Sequence, residues 1–91
     1  MDELKVQVLF FAKAREIVGQ NSTHLSIKKT SSKLTGKQLL ELLLENFPSL
    51  KDISQNIVLA VNQEYLVPDS QSFVELSSNS EIAVIPPLSG G

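Results

Sequence analysis

Ninety-one residues, 42% of them hydrophobic and 20% charged, give material for one small soluble domain with a single modest core. The net charge of −2 argues against non-specific nucleic-acid binding, which needs a basic footprint, and no apolar run approaches the roughly 20 residues of a membrane-spanning helix. With no cysteine and one histidine, the sequence offers no disulfide, no thiolate nucleophile and no ligand set for a zinc ion.

The acidic start, Met1-Asp2-Glu3, runs straight into a strand pattern, unlike a secretory signal or an Arg-rich transit peptide, so a cytosolic protein is expected. From Leu4 to Phe11 the residues alternate, with Leu4, Val6, Val8 and Phe10 on one face. Leu9 and Phe11 make the second face apolar at its far end, which predicts a strand inside a sheet rather than at its edge, and the two phenylalanine rings must point apart. Ala12 to Val18 fits two helical turns closed by Gly19. After a turn at Gln20-Asn21-Ser22, the segment Thr23 to Lys29 alternates again, Leu25 and Ile27 inward, His24, Ser26 and Lys28 outward. Thr30 to Lys33 reads as a polar loop. Thr35-Gly36-Lys37-Gln38 is a capping box, and the helix behind it carries Leu39, Leu42, Leu43 and Phe47 as one stripe, flanked by Leu40 and Leu44. Pro48 ends that helix, and Leu50 and Ile53 are expected to pack under its end. Ile57 to Asn62 is a strand, Gln63-Glu64 a tight turn, and Tyr65-Leu66-Val67 a short segment cut by Pro68. Asp69 to Ser72 is a loop, Phe73 to Leu76 a short strand or helical turn, and Ser77 to Ser80 a turn. Ser80 to Ile85, apolar at nearly every position, is the last strand and should be buried on both faces.

The two most apolar strands are thus the first and the last, and both belong in the middle of a sheet. Placed side by side they run parallel, because a long crossover separates them. One main helix on one face of a mixed sheet completes an α+β layer pair that resembles the β-grasp arrangement of ubiquitin. It would make residues 1–87 a single domain and leave 88–91 as a flexible tail.

Little in this chain carries chemistry. His24 lies on a polar strand face with no second ligand or base, which reads as a solvated histidine. Lys28, Lys29, Lys33 and Lys37 read as a solvated face or as a dock for an acidic surface. The carboxylates show no acid/base pairing, and no phosphate-binding glycine loop or nucleophile elbow is present. What remains is Pro86-Pro87-Leu88-Ser89-Gly90-Gly91. Two prolines end sheet pairing and stiffen the exit, and Ile85, Pro87 and Leu88 can form an apolar collar around it. The four residues beyond Pro87 reach about 13 Å when extended. Two readings stay open at this point: a frayed end, or a side-chain-free thread that presents its carboxylate to another protein. That carboxylate, with an ordinary pKa of about 3.5, is ionised and must be activated in trans, for instance as an acyl-adenylate.

Ile82-Ala83-Val84-Ile85-Pro86-Pro87-Leu88-Ser89-Gly90-Gly91 resembles the C-terminus of the molybdopterin synthase small-subunit family, which are sulfur carriers. Val8 to Gly19 (VLFFAKAREIVG) resembles the same family's first strand and turn, and Val61-Asn62-Gln63-Glu64-Tyr65 its middle hairpin. From Thr30 to Ile57 the match is one of pattern only. The resemblance implies a ubiquitin-like β-grasp fold with no catalysis by the chain alone and no bound cofactor or metal. It makes Gly91, preceded by Gly90, the reacting terminus, and Ile85, Pro86, Pro87, Leu88 and Ser89 the segment that a partner grips. A separate ubiquitin-activating-type enzyme would consume ATP to adenylate Gly91, and sulfur would then replace one oxygen to give a thiocarboxylate. The loaded tail would enter the large subunit of the synthase, in a heterotetramer of two small and two large subunits, and deliver sulfur to cyclic pyranopterin monophosphate to form the molybdopterin dithiolene. A sulfur carrier for thiamine synthesis or transfer-RNA thiolation and a ubiquitin-like protein modifier are the alternatives.

Overall fold

Strand β1 (Glu3–Phe10) opens the computed structural model, which describes residues 3–86. Its alternation is realised: Leu4, Val6, Val8 and Phe10 are all buried, while Phe11 turns out to the other face and is 45% exposed. The two rings do point apart, and Phe10 meets Phe47 edge-on, centroids 5.0 Å apart at 79°. Helix α1 (Ala12–Val18) follows and closes on Gly19, whose φ of 85° only glycine adopts cheaply and whose N–H donates to the Arg15 carbonyl at 2.8 Å.

β2 (Ser22–Lys28) pairs antiparallel with β1, with Ile27 buried and Leu25 partly so. The expected loop at Thr30 to Lys33 is instead a 3-10 turn, Lys29–Ser31, leading into a three-residue strand, β3 (Lys33–Thr35). β3 pairs with β6 (Phe73–Glu75) in a separate two-stranded ribbon. Three residues carry too little alternation to announce a strand, and the partner lies some forty residues away, so local pattern could not reveal the pairing.

Helix α2 (Gly36–Asn46) has the expected capping box in full: Thr35 Oγ1 accepts from the Gln38 N–H at 3.0 Å, and Gln38 Oε1 accepts from the Thr35 N–H at 2.9 Å. Leu39 and Leu43 are wholly buried, with Leu40, Leu42, Leu44 and Phe47 packed beside them, so the helix covers one face of the sheet. Pro48 ends it and starts a 3-10 segment, Pro48–Asn56, that carries Leu50 into the core and Ile53 against it. Gly36 sits directly against the Val67–Pro68 backbone, where a Cβ would have no room.

β4 (Val58–Val61) and β5 (Glu64–Leu66) form a hairpin. Its turn is Asn62-Gln63, with φ of 51° and 72°, one residue earlier than the sequence suggests. Two successive left-handed residues match the right-handed twist of a hairpin, and asparagine tolerates that region better than most side chains. β7 (Glu81–Ile85) then enters the sheet, whose order is β2-β1-β7-β4-β5. β1 and β7 are neighbours and parallel, both flanked on each side, as a mixed α+β β-grasp sheet requires. Ile82, Ala83 and Val84 are buried.

Candidate functional site

The last described strand is held along both edges and at its base. Val8↔Ile82 and Phe10↔Val84 are partners in the parallel ladder, and Val61↔Ile82 and Val58↔Ile85 in the antiparallel one. At the base, the Gln7 N–H donates to Ser80 O at 2.9 Å, and Asn62 clamps Glu81 twice: the Asn62 N–H donates to Glu81 O at 2.8 Å, and the Glu81 N–H donates to Asn62 Oδ1 at 2.9 Å. Buried Ser80 accepts from the Ser77 N–H through its Oγ at 2.8 Å, fixing the preceding turn. Ordering residues costs about 1–2 kcal/mol each, and two ladders plus this clamp meet that cost for β7.

At the far end both neighbours leave. β1 ends at Phe10, and the chain reverses through Ala12, at φ 51°, into α1; β4 begins only at Val58. Pro86 has no N–H with which to continue a ladder and is buried, so the chain leaves the sheet at this corner. Ile85 is half-buried on the strand's outer side. The expected reacting residues Gly90 and Gly91, the partner-binding residues Pro87, Leu88 and Ser89, and the expected boundary at 87/88 all lie outside the described residues.

Ile85 belongs to a larger feature that the sequence reading did not assemble. On the sheet face opposite α2, Leu9 and Phe11, Ala83 and Ile85, Ala60, and Tyr65 line a groove of about 320 Å³, with Glu81 and Gln63 at its polar end. Tyr65 is 80% exposed, and Val58, on the same outward register of β4, is 39% exposed. An exposed apolar sheet face that runs to the exit of a tethered strand is suited to docking another protein. The signal was available: β4 is apolar at every position, β1 becomes so at its far end with Leu9, and β7 after Glu81, so one set of these side chains must face away from the core. Among the described residues no three His, Cys, Asp or Glu side chains gather to hold a metal ion, and no helix is long and apolar enough to cross a membrane. His24 is exposed, on the outer side of β2.

Comparison with known proteins agrees with this arrangement. The chain is 37% identical to the molybdopterin synthase sulfur carrier subunit of Aedes aegypti over 97% of its length and 90% of that protein's. It is 41% identical to the protein of the same name in Homo sapiens, over 96% of this chain and 94% of that one. Among solved structures, the small archaeal modifier protein 1 of Methanosarcina acetivorans superposes with a TM-score of 0.70 at 25% identity, covering 98% of each chain. The complex of subunits 1 and 2 of molybdopterin-converting factor from Helicobacter pylori contains a chain that superposes with a TM-score of 0.64 at 20% identity, covering 97% of this chain and all of that one. The model of the ThiS family matches residues 8–91, and the chain belongs to that family.

Proposed function

We propose that this protein is the sulfur carrier subunit of a molybdopterin synthase and that Gly91 bears the sulfur. The observation that carries the proposal is the identity of about two residues in five, over nearly the whole length, to proteins of that name. The structure supports it by holding β7 rigidly on both sides up to Ile85, which gives a tail a firm base. In this reading a partner enzyme transfers AMP from ATP to the Gly91 carboxylate and releases pyrophosphate. A sulfide-level donor then forms the C–S bond as AMP leaves, giving a thiocarboxylate. Its sulfur is a better nucleophile than the original carboxylate oxygen. Inside the large subunit it forms a C–S bond to a pterin precursor as a leaving group departs from that carbon. Water then cleaves the Gly91 acyl–sulfur bond, leaving the sulfur on the pterin and restoring the carboxylate. The groove between Phe11, Ile85 and Tyr65 is the surface by which the adenylating enzyme and the large subunit dock, each in turn. Pro87, Leu88 and Ser89 lie in the partner's slot, and the process takes place in the cytosol.

The test is the intact mass of the protein after incubation with the family's adenylating enzyme, ATP and a sulfur donor. A gain equal to exchanging one oxygen for one sulfur, located on Gly91, is expected. Appending one residue after Gly91 should abolish both that gain and sulfur delivery while leaving the fold unchanged; an extended protein that still supports pterin sulfuration would overturn the proposal. The likeness to a small archaeal modifier protein favours a second reading, in which Gly91 ends in an isopeptide bond to a lysine. Covalent conjugates in cell extract, absent when Gly91 is deleted, would select it.

A further inference from the structure

We infer a second protein-binding site, independent of the tail: the free edge of β2, which takes an extended peptide segment bearing an apolar residue and, two positions along, a lysine or arginine. β2 is one of the two edge strands of the five-stranded sheet, the other being β5. The hydrogen bonds of β1 show which of its backbone groups are unspent. Odd-numbered Gln7 donates to Ser80 O, towards β7, whereas even-numbered Phe10 donates to Asn21 O, towards the β2 side. The even residues of β1 are in register with Thr23, Leu25 and Ile27, so these three bond inward. The N–H and C=O groups of His24 and Ser26 therefore point out from the edge, where an added strand can pair with them.

Beside this edge, on the α2 side of the sheet, runs a groove of about 380 Å³. Ile27, Leu34 and Leu42 form its apolar part, Glu41 and Glu45 stand along its helical wall, and Ser26 and Lys28 border it at the strand edge, on the register opposite Ile27. From Gln38 to Glu45 the helix advances roughly 10 Å, the length of about three strand residues. Three residues of an added strand send two side chains into the groove, at i and i+2. One meets the apolar part near Leu34; the other meets Glu41 and Glu45, which are exposed and one helical turn apart. Charge decides the occupant. A second copy pairing edge to edge would set α2 on the same side of the joined sheet in both copies and bring two carboxylates from each across the seam, which is repulsive. A basic side chain is attracted to the same wall. The site lies on the helix side and at the sheet edge, away from β7 and the Phe11–Tyr65 face, so it can be filled while the tail is engaged.

The experiment is an amide NMR titration of the full chain with a capped heptapeptide of threonines carrying isoleucine at positions 2 and 4 and lysine at position 6. Saturable shifts are expected at His24, Ser26 and Lys28 and along Gln38–Glu45, with slowed hydrogen exchange at His24 and Ser26. Replacing the peptide's lysine by glutamate should abolish binding, and Glu41→Gln with Glu45→Gln should weaken it about fivefold. Glu41→Lys with Glu45→Lys, both exposed and so leaving the fold intact, should reverse the preference between the two peptides. Absence of saturable shifts at millimolar peptide, equal binding of both peptides, shifts confined to the Phe11–Tyr65 face, or edge shifts that depend only on protein concentration and accompany a dimer in sedimentation would each overturn the inference.

Discussion

Gly36→Ala sets two physical effects of opposite sign against each other. Alanine is the better helix former, and the exchange should favour α2 by at most about 1 kcal/mol. The structure opposes it. A Cβ on Gly36 would stand 2.8 Å from the Val67 carbonyl carbon and 3.0 Å from Pro68 Cα, and closer still to the Val67 carbonyl oxygen. These are backbone atoms, which cannot swing aside as a side-chain tip can. The Val67–Ser72 loop must retreat, and two of its hydrogen bonds hold it: Gly36 N–H to Ser72 O and Lys37 N–H to Asp69 O, both 2.8 Å. Overpacking costs about 1–3 kcal/mol and each lost bond about 1 kcal/mol, so strain outweighs propensity by about 3 kcal/mol. For a domain of this size that lowers the melting temperature by about 15 °C. Thermal unfolding followed by circular dichroism measures it. A variant as stable as the parent, or more stable, would refute the steric account, because it would mean the loop yields freely. The sulfur loading proposed for Gly91, measured well below the melting point, should be unchanged.

Two other perturbations read separate regions. Asp69 Oδ1 accepts from the Ser72 N–H at 2.8 Å and the Gln71 N–H at 3.0 Å, and these bonds, that to Ser72 foremost, hold its carboxyl below the usual carboxylate pKa. A depressed folded-state pKa contributes stability above the ordinary value of about 4 and loses it as pH falls through the folded value; Asp69→Asn should flatten the acid limb of a stability–pH curve without moving the plateau's shape above pH 6. Phe11→Ser and Tyr65→Ser, at the exposed outer face, should change unfolding free energy by less than about 0.5 kcal/mol for Tyr65, the more exposed, yet each should weaken docking to the adenylating enzyme by about tenfold, read by calorimetry.

How far the sequence could be read depends on the range of the determining interaction. The α2 capping box, the Gly19 cap and the inward alternation of β1 are decided within a few residues, and each is found where its pattern lies. The parallel pairing of β1 with β7 is long-range, yet these are the two most apolar strands, with Leu9 and Phe11 extending the apolar character to the second face of the first, and that places both in mid-sheet. In the β3–β6 ribbon, β6 realises the strand alternative read for Phe73 to Leu76, whereas β3 and the pairing escaped because three residues have almost no pattern of their own. The hairpin turn slipped by one residue because Asn62 also bonds to Glu81, a contact nineteen residues away that selects the left-handed pair 62–63 over 63–64. At the site, Ile85 was legible as the last residue of an apolar strand, whereas Tyr65, Phe11 and Ala60 become neighbours only once the register across β1, β7, β4 and β5 is known.

The position of β7 has a consequence for how the protein is made. It is the centre of the sheet, yet it comes after every other strand in the chain. Before residues 81–85 emerge during synthesis, the five-stranded sheet exists only as two strand pairs, β1 with β2 and β4 with β5, with no strand pairing between them. Isolated two-stranded hairpins are marginal in water, and distant pairings close slowly. A prematurely ended polypeptide lacking this strand is left with two unjoined strand pairs open to proteolysis, so the activation proposed for Gly91 waits on a seated central strand.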